Sequence, residues 1–297
     1  MKIHIIPGNE NWVVDRLVEE FYDYNEDITT KNINECDVIW LLAPWRWSSI
    51  SLDYLVNKKV VTTIHHIVPD KFNVDDFKQR DNYVDLYHVP NKFTKEFIKA
   101  YTDKPIEILG YWANPKLWFE LDKSTTRKEI GLPENKFLIG SFQRDTEGGD
   151  LVSPKLEKGP DVFCDMVINY NQIENVEVIL AGWRRQYVMN RLNEAGIKYH
   201  YFELPSFEFI NKLYNSLDLY IVGSRYEGGP QALIECALTK TPIISTDVGM
   251  ASEILSEESI FGNKDYVNSN IDVPSENIKK YIIPEYFKKY TNLFKEI

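Results

Sequence analysis

The stretch that decides the fold is "LDLYIVGSRYEGGPQALIECALTKTPIIST", residues 217–246, which begins and ends with a short apolar run. Runs of this length and composition predict buried strands, and "PQALIECALTK" between them predicts a helix. A strand, a helix and a second strand are the repeating unit of a parallel sheet covered by helices. The loop Ser224–Gly229 then lies at the carboxyl end of a strand, where open α/β sheets bind ligands.

The same alternation runs through both halves of the chain, with "KIHII", "CDVIWLL" and "KVVTTI" before, and "FLIGSF" and "VEVILAG" after, a loop-like segment at 110–126. The sequence therefore predicts an α/β protein with two Rossmann-like domains that face one another across a cleft. The expected divisions are an acceptor-side domain at 1–117, a donor-binding domain at 118–273, and a helical segment at 274–297 that could pack back on the N-terminal domain.

Composition narrows the function classes. The net charge of −11 and the pI near 5.1 argue against binding to nucleic acid, which needs clustered Lys and Arg. The sequence has no apolar run of about 18 residues and begins without a secretory signal, so we expect no stable membrane insertion and a cytoplasmic location, with peripheral membrane contact left open. The cysteines Cys36, Cys164 and Cys236 lack metal-like spacing and are expected to be free thiols.

The start of the helix after Ser224–Gly229 suits an anion. Pro230 fits the first helical position, and the glycines before it permit close approach of a ligand to the backbone. Amides at a helix N-terminus, together with the helix dipole, bind phosphate. Glu227 and Glu235 flank this start, and their carboxylates would accept hydrogen bonds from sugar hydroxyls. A nucleotide sugar offers both groups, and its predicted ligands are Gly228, Gly229, Gln231, Ala232, Leu233, Glu227 and Glu235.

The segment "SRYEGGPQALIECALTKTPIISTDVGMASEI", residues 224–254, resembles the donor-binding segment of retaining glycosyltransferases of the GT-B architecture, in the large family 4. This resemblance implies that Glu227 contacts the donor sugar and Glu235 the ribose. Lys240 and Met250 stand where the family usually has glycine. Arg184, in "AGWRRQ", stands where it has a small residue.

Other motifs extend the resemblance. "FLIGSFQRDTEGGDLVSPKLEKGPDVF", residues 137–163, resembles the start of the family's donor domain, and implies that Arg144 and Lys158 neutralise the diphosphate, with Lys155 as a rival for Lys158. "KVVTTIHHIVP", residues 59–69, resembles the acceptor-domain strand, and implies that His65 faces the donor sugar, with His66 as the alternative. The resemblance also implies that Gly8 lies close to the donor phosphates and that the backbone around Leu204 and Pro205 meets the base.

"APWRWSS", residues 43–49, follows a predicted strand of the first domain, where this architecture holds acceptors. Trp45 and Trp47 could stack on sugar rings, with Arg46 for an anionic group. The alternative is that these aromatic side chains only pack the domain.

The resemblance implies a metal-independent, retaining hexosyltransferase that moves a sugar from a UDP-, GDP- or ADP-linked donor to a carbohydrate or glycan acceptor, as in polysaccharide or glycan biosynthesis. It implies no cofactor, no metal ligand and no nucleic-acid partner. Two alternatives stay open: a nucleotide-sugar epimerase or hydrolase of the same architecture, and a non-catalytic protein that binds nucleotide or sugar.

Overall fold

The computed structural model describes residues 1–10, 12–262 and 268–297. Their contacts divide the chain into two compact units. The first unit joins Met1–Tyr111 to the C-terminal segment Ile283–Ile297, and the second unit is Trp112–Ile282. The sequence placed the corresponding divisions after residues 117 and 273. The C-terminal helix therefore belongs with the N-terminal sheet, as the sequence allowed.

The first unit is a parallel sheet of five strands in the order β1-β2-β3-β4-β5. Its elements up to Tyr111 are, in chain order, β1 (Ile3–Ile5), α1 (Val13–Tyr24), β2 (Val38–Leu41), α2 (Leu52–Asn57), β3 (Lys59–Thr63), α3 (Val74–Asp81), β4 (Leu86–Val89), α4 (Lys92–Ile98) and β5 (Ile106–Ile108).

In the first sheet, the order in which the chain adds strands reverses at β1. After α1 the chain returns along the outer edge of β1, where Thr29 forms a parallel bridge with Ile3, and it then crosses to β2 on the other side of β1. This reversal puts the carboxyl ends of β1 and β2 at a topological switch point, the usual place for a ligand in an open α/β sheet.

The two faces of the first sheet bury different helices. Ile39 and Leu41 belong to a cluster with Leu55 of α2 and Phe77 of α3. Successive residues of a strand point to opposite faces, and Trp40 accordingly meets α1 through Phe21, at a ring distance of 5.1 Å. The last helix, α12 (Phe287–Lys295), covers the same face, as shown by the contacts of Tyr290 and Phe294 with Trp40.

The second unit is a parallel sheet of six strands in the order β11-β10-β9-β6-β7-β8. Its elements are α5 (Lys123–Glu129), β6 (Phe137–Ser141), α6 (Pro160–Tyr170), β7 (Val176–Ala181), α7 (Gln186–Glu194), β8 (Tyr199–Phe202), α8 (Phe207–Ser216), β9 (Leu219–Val222), α9 (Gln231–Thr239), β10 (Ile243–Thr246), α10 (Ala251–Ile254), β11 (Ile260–Phe261) and α11 (Asp272–Asn277).

This order runs outward from β6 in both directions, first through β7 and β8 and then through β9, β10 and β11. The switch point of the second sheet thus lies between β6 and β9. β6, β7 and β9 are buried along nearly their whole length, because helices cover both faces of such a sheet. Side chains that follow β6 and β9 are brought together at its carboxyl edge.

Candidate functional site

Two glycines bring the chain after β6 against the chain after β9. Gly159 has a φ of +60°, and a β-carbon there would lie 1.7 Å from the carbonyl oxygen of Gly223. In turn, a β-carbon at Gly223 would lie 2.8 Å from the carbonyl oxygen of Gly159. Backbone therefore packs directly on backbone, and only glycine fits at either position.

The pair beside this contact is Lys158 and Glu227. Lys158 Nζ lies 2.8 Å from Glu227 Oε2, and both side chains are largely buried, with exposures of 18% and 11%. Ser224 Oγ donates a hydrogen bond of 3.0 Å to Glu227 Oε1. Gln143 Nε2 donates to the carbonyl of Lys158 at 2.7 Å. The structure thus brings Lys158, and not Lys155, to Glu227.

Arg225 fastens the two segments that carry this pair. Its guanidinium makes two hydrogen bonds to Asp161, at 2.8 and 2.6 Å, and one to the carbonyl of Leu156, at 2.8 Å. Its backbone N–H donates to the carbonyl of Glu157 at 2.9 Å. A bidentate arginine–carboxylate pair fixes direction as well as distance, so Arg225 is a positioning residue for Lys158.

The helix that follows Glu227 begins one residue later than the sequence predicted. Pro230 is the residue before the first turn of α9, with a ψ of 121°, and no side chain caps this turn. The Leu233 amide donates to the carbonyl of Pro230 at 3.0 Å, which removes it from the expected set of phosphate-binding amides. The preceding glycines are buried in the backbone packing, since a β-carbon at Gly249 would lie 2.6 Å from the carbonyl oxygen of Gly228. The predicted ligands Gly229, Gln231 and Ala232 lie around this turn.

Glu235 lies on the second turn of α9 and is 7% exposed. Its carboxylate accepts a hydrogen bond of 2.7 Å from the hydroxyl of Tyr214 on α8. Burial raises the pKa of Tyr214 well above its ordinary value, and the Glu235 charge raises it further, so the tyrosine stays protonated as the donor. The arrangement fixes one oxygen of Glu235, which is therefore neither a helix cap nor a solvated side chain.

A second group of charges lies on the loop between β6 and α6. Lys155 Nζ is 3.3 Å from Glu157 Oε1, and both side chains are mostly buried. Burial lowers the pKa of Lys155, and the nearby Arg144 cation lowers it further, against the opposing effect of Glu157. The Arg144 side chain is exposed. The acidic partner of Lys155 is therefore Glu157, whereas that of Lys158 is Glu227.

The remaining predicted residues of the second unit follow β8. Leu204 has a φ of +45° and is 56% exposed, and Pro205 beside it is half-buried. A branched residue at positive φ is uncommon and strained.

In the first unit, the amides that follow β1 already bind a carboxylate. Asp15 accepts hydrogen bonds from the backbone N–H groups of Asn9, at 2.8 Å, and Glu10, at 2.7 Å. Gly8 precedes them, and a β-carbon there would make only ordinary contacts, at 3.5 Å from both Asp15 and Trp45. The Gly8 loop is therefore held by Asp15, and sterically it would accept alanine.

His65 follows β3 and is half-buried. Its Nε2 lies 2.7 Å from the carbonyl oxygen of Leu42, and its Nδ1 forms a short hydrogen bond with the hydroxyl of Tyr111. A carbonyl only accepts, so Nε2 carries a proton and donates it to Leu42. His66 is also half-buried. Both ring nitrogens of His65 thus have partners within the first unit.

The tryptophans after β2 differ. Trp45 is 49% exposed, and its ring centroid lies 6.1 Å from that of His65. Trp47 donates to Asp76 Oδ1 at 2.9 Å and stacks on Tyr83. Arg46 donates to the carbonyl of Pro7 at 3.0 Å. Trp45 is the most exposed of these three residues, whereas Trp47 and Arg46 hold the unit together.

Ser224, Arg225 and Tyr214 were missed as parts of the site. Ser224 and Arg225 directly precede the Glu227 motif, so their place in the loop was readable, but their partners on α6 and the β6 loop were not. No spacing pattern in the sequence joins Tyr214 to Glu235, because they meet between two helices.

The described part of the chain contains neither a cluster of metal-ligating side chains nor a helix that could span a membrane. Across 1–10, 12–262 and 268–297, no group of three or more His, Cys, Asp or Glu side chains is arranged to hold a metal ion. Over the same residues, every helix is too short or too polar to cross a bilayer.

Comparison with known proteins identifies the family of the chain and its fold. The family model described as "Glycosyl transferases group 1" matches residues 122–285, more than half of the chain. A curated relative, the lipopolysaccharide core biosynthesis mannosyltransferase LpsB of Rhizobium meliloti (strain 1021), is 26% identical over 166 residues. The match covers 53% of this chain and 45% of LpsB, so the chain spans less than half the length of that relative.

Among solved structures, Anabaena HepE in complex with UDP has a TM-score of 0.75 at 13% identity, with all of both chains covered. HepE in complex with UDP and glucose has a TM-score of 0.68 at 14% identity, over 94% of this chain and 89% of HepE. A glycosyltransferase from Rickettsia africae ESF-5 has a TM-score of 0.68 at 17% identity, over 99% and 97%. At these identities the likeness shows the fold, which is the GT-B architecture.

Proposed function

The chain belongs to the family of glycosyl transferases group 1, and from this premise we propose that it transfers a sugar from a nucleoside-diphosphate sugar to an acceptor hydroxyl. The observation that carries the proposal is the ion pair of Lys158 and Glu227 at the switch point of the second sheet, next to the uncapped start of α9. A cation, helix amides and a carboxylate are gathered there in one unit.

We assign the diphosphate to Lys158, Arg144 and the first turn of α9. Cations and helix N-termini stabilise the negative charge that grows on the leaving diphosphate as the glycosidic bond breaks. These groups carry that charge on their own in this proposal, which makes the reaction metal-independent. Arg144 suits the task because its side chain is exposed.

We assign the sugar hydroxyls to the two glutamates. Glu227 accepts from the transferred hexose, and the hydroxyl of Ser224 holds its carboxylate in place meanwhile. Glu235 accepts from the ribose through its carboxylate, of which Tyr214 fixes one oxygen. The backbone at Leu204 and Pro205 meets the base.

The transfer proceeds with retention of anomeric configuration, in the manner of family 4. The departing phosphate takes the proton of the acceptor hydroxyl on the face of the sugar from which it leaves. Trp45 offers the acceptor a ring for stacking, and the half-buried His65 next to it orients that ring through their contact. The acceptor is a carbohydrate or glycan; LpsB is named for lipopolysaccharide core biosynthesis, which makes lipopolysaccharide intermediates the first acceptors to try.

Release of nucleoside diphosphate from UDP-, GDP- and ADP-linked hexoses, measured with and without a glycan acceptor, tests this proposal. We expect release that depends on acceptor, and an α-linked product from an α-linked donor by NMR. Release at the same rate without acceptor indicates a hydrolase, consumption of the donor without release of nucleoside diphosphate indicates an epimerase, and binding without consumption of the donor indicates a non-catalytic protein. In the same assay, the variant Glu227→Gln should slow the release. Its control is Glu276→Gln, which changes an exposed ion pair of the second unit and should leave the release unchanged.

A further inference from the structure

Two consecutive arginines follow β7, and they have opposite roles. Arg185 is fully buried. Its guanidinium bonds Asp145 Oδ2 at 2.6 Å, the carbonyl of Ala181 at 2.7 Å and the hydroxyl of Ser141 at 3.1 Å. Its charge and its donors are thus used within the unit, and it ties the end of β7 to the end of β6.

Arg184 has no comparable partners. Within the described residues its guanidinium makes no hydrogen bond or ion pair, and its Nε is buried without an acceptor. Its charged group instead lies over the ring of Trp183, 4.1 Å from the centroid. Trp183 is 48% exposed. A cationic, planar group stacked on a half-exposed indole is a surface for a ligand that supplies both an aromatic face and acceptors.

The backbone at Arg184 holds this surface in place in a strained conformation. Arg184 has a φ of +57°, a conformation that residues other than glycine adopt rarely and with strain. Its carbonyl accepts from the amides of Asp145 and Thr146, at 3.1 and 3.2 Å. Space for the guanidinium exists because position 148 is glycine: a β-carbon there would lie 2.5 Å from Arg184 Nη1.

The location fits a nucleotide. β7 is the neighbour of β6 on the side away from β9, and adjacent strands lie about 4.8 Å apart. A nucleotide whose diphosphate lies at Lys158, between β6 and β9, extends along this edge of the sheet. Toward β10 the segment 247–250 contains no aromatic residue, and its apolar side chains Val248 and Met250 are buried. In the direction of β7, the nucleotide would instead meet Trp183 and Arg184.

We propose that Trp183 and Arg184 bind the base of the nucleotide donor together with the backbone at Leu204 and Pro205, which follows the neighbouring strand β8, and that Arg184 determines which base is preferred. The indole and guanidinium supply a flat face on which a base stacks, and the guanidinium N–H groups donate to carbonyl or ring-nitrogen acceptors of its edge. A group with donors only suits the acceptor-rich edge of a base better than the hydroxyls of a sugar. The inference rests on the proposed function, since it requires a nucleotide donor.

Calorimetric titration of the full chain with UDP, GDP, ADP and inorganic pyrophosphate tests the inference. We expect Trp183→Ala and Arg184→Gly to weaken the tightest-binding nucleoside diphosphate about fivefold or more, to leave pyrophosphate binding unchanged, and, for Arg184→Gly, to reduce the spread among the three bases. Glycine adopts a φ of +57° without strain, so this variant keeps its fold, which thermal unfolding verifies.

Tyr226→Ala is the matched control, because Tyr226 is an exposed aromatic residue that follows β9 and not β7. Nucleotide affinities unchanged in both Trp183→Ala and Arg184→Gly, or lost only in Tyr226→Ala, would overturn the inference. An equal loss of affinity for pyrophosphate in Arg184→Gly would also overturn the inference, because it would show that Arg184 binds phosphate. If the wild-type chain binds no nucleotide, the proposed function fails first, and this outcome is visible before any variant is made.

Discussion

Lys158 Nζ lies 2.8 Å from Glu227 Oε2. Lys158 follows β6 and Glu227 follows β9, and these two strands are neighbours because the strand order of the second sheet reverses between them. The pair neutralises a carboxylate that would otherwise repel a diphosphate. In the proposed reaction the lysine therefore serves two anions in turn, the glutamate in the unliganded chain and the diphosphate in the complex.

Glu227→Gln should separate binding from turnover. Removal of the negative charge releases Lys158 for the diphosphate, so nucleoside diphosphate should bind about threefold tighter or more, while transfer should fall about 100-fold or more. Titration calorimetry and a transfer assay measure the two effects. An equally fast Glu227→Gln variant would remove this residue from the mechanism.

Tyr214→Phe should weaken donor binding through Glu235. The variant removes the Tyr214 donor from a buried carboxylate, and loss of such a hydrogen bond costs about 1–3 kcal/mol of unfolding free energy. The donor KM should rise about tenfold, with kcat changed less, because Glu235 is assigned to the ribose and not to the reacting bond. Steady-state kinetics checks the split. Tyr54→Phe, which removes a surface hydrogen bond to Asn34 in the first unit, should change neither parameter.

Gly159→Ala should destabilise the second unit far more than Gly131→Ala. Both glycines have positive φ, at +60° and +72°, so both variants carry the backbone strain of about 1 kcal/mol. Only the alanine at 159 meets the Gly223 carbonyl, while the space around Gly131 is empty within 4 Å. We expect a loss of about 3 kcal/mol or more for Gly159→Ala. Equal losses in denaturant unfolding would show that the close packing is unimportant.

His88 should make the stability of the chain depend on pH. It lies buried on β4, and burial lowers its pKa from 6.5 to about 4, although the bond to the carbonyl of Leu109 opposes this shift. Between these values the unfolded chain binds a proton that the folded chain does not. The free energy of unfolding should therefore fall as the pH falls from 6.5 to about 4, by about 3 kcal/mol in total.

Denaturant unfolding at pH 7 and pH 5, for the wild type and for His88→Gln, measures this contribution. The glutamine does not titrate, so the loss of stability toward pH 5 should be smaller in the variant. An identical loss in both proteins would place the pH dependence elsewhere.

The sequence predicted the buried strands well, because they are continuous apolar runs between turns. It missed β8, Tyr199–Phe202, an edge strand whose residues are all half-buried and which carries His200 bonded to Glu177. It missed α5 as well, because "KSTTRKE" has no apolar residues. That helix is held instead by Asp122 at its start and by Arg127, which donates to the carbonyl of Ser216 and to Asp218.

The site was predictable only as far as it is local. The loop from Ser224 to Gly229 and the glutamates around it were readable from one segment of sequence. The choice between Lys158 and Lys155 was not, because it depends on backbone contact between Gly159 and Gly223, which lie far apart in the chain. Likewise, the hydrogen bonds of Arg46 and Trp47 come from distant partners, which sequence spacing does not reveal.

A crystal structure of the full chain with the nucleoside diphosphate that binds most tightly tests the central claim most directly. We predict the diphosphate at the start of α9, with Lys158 Nζ about 3 Å from a phosphate oxygen and no longer paired with Glu227. Nucleotide bound elsewhere, with the ion pair of Lys158 and Glu227 intact, would contradict it.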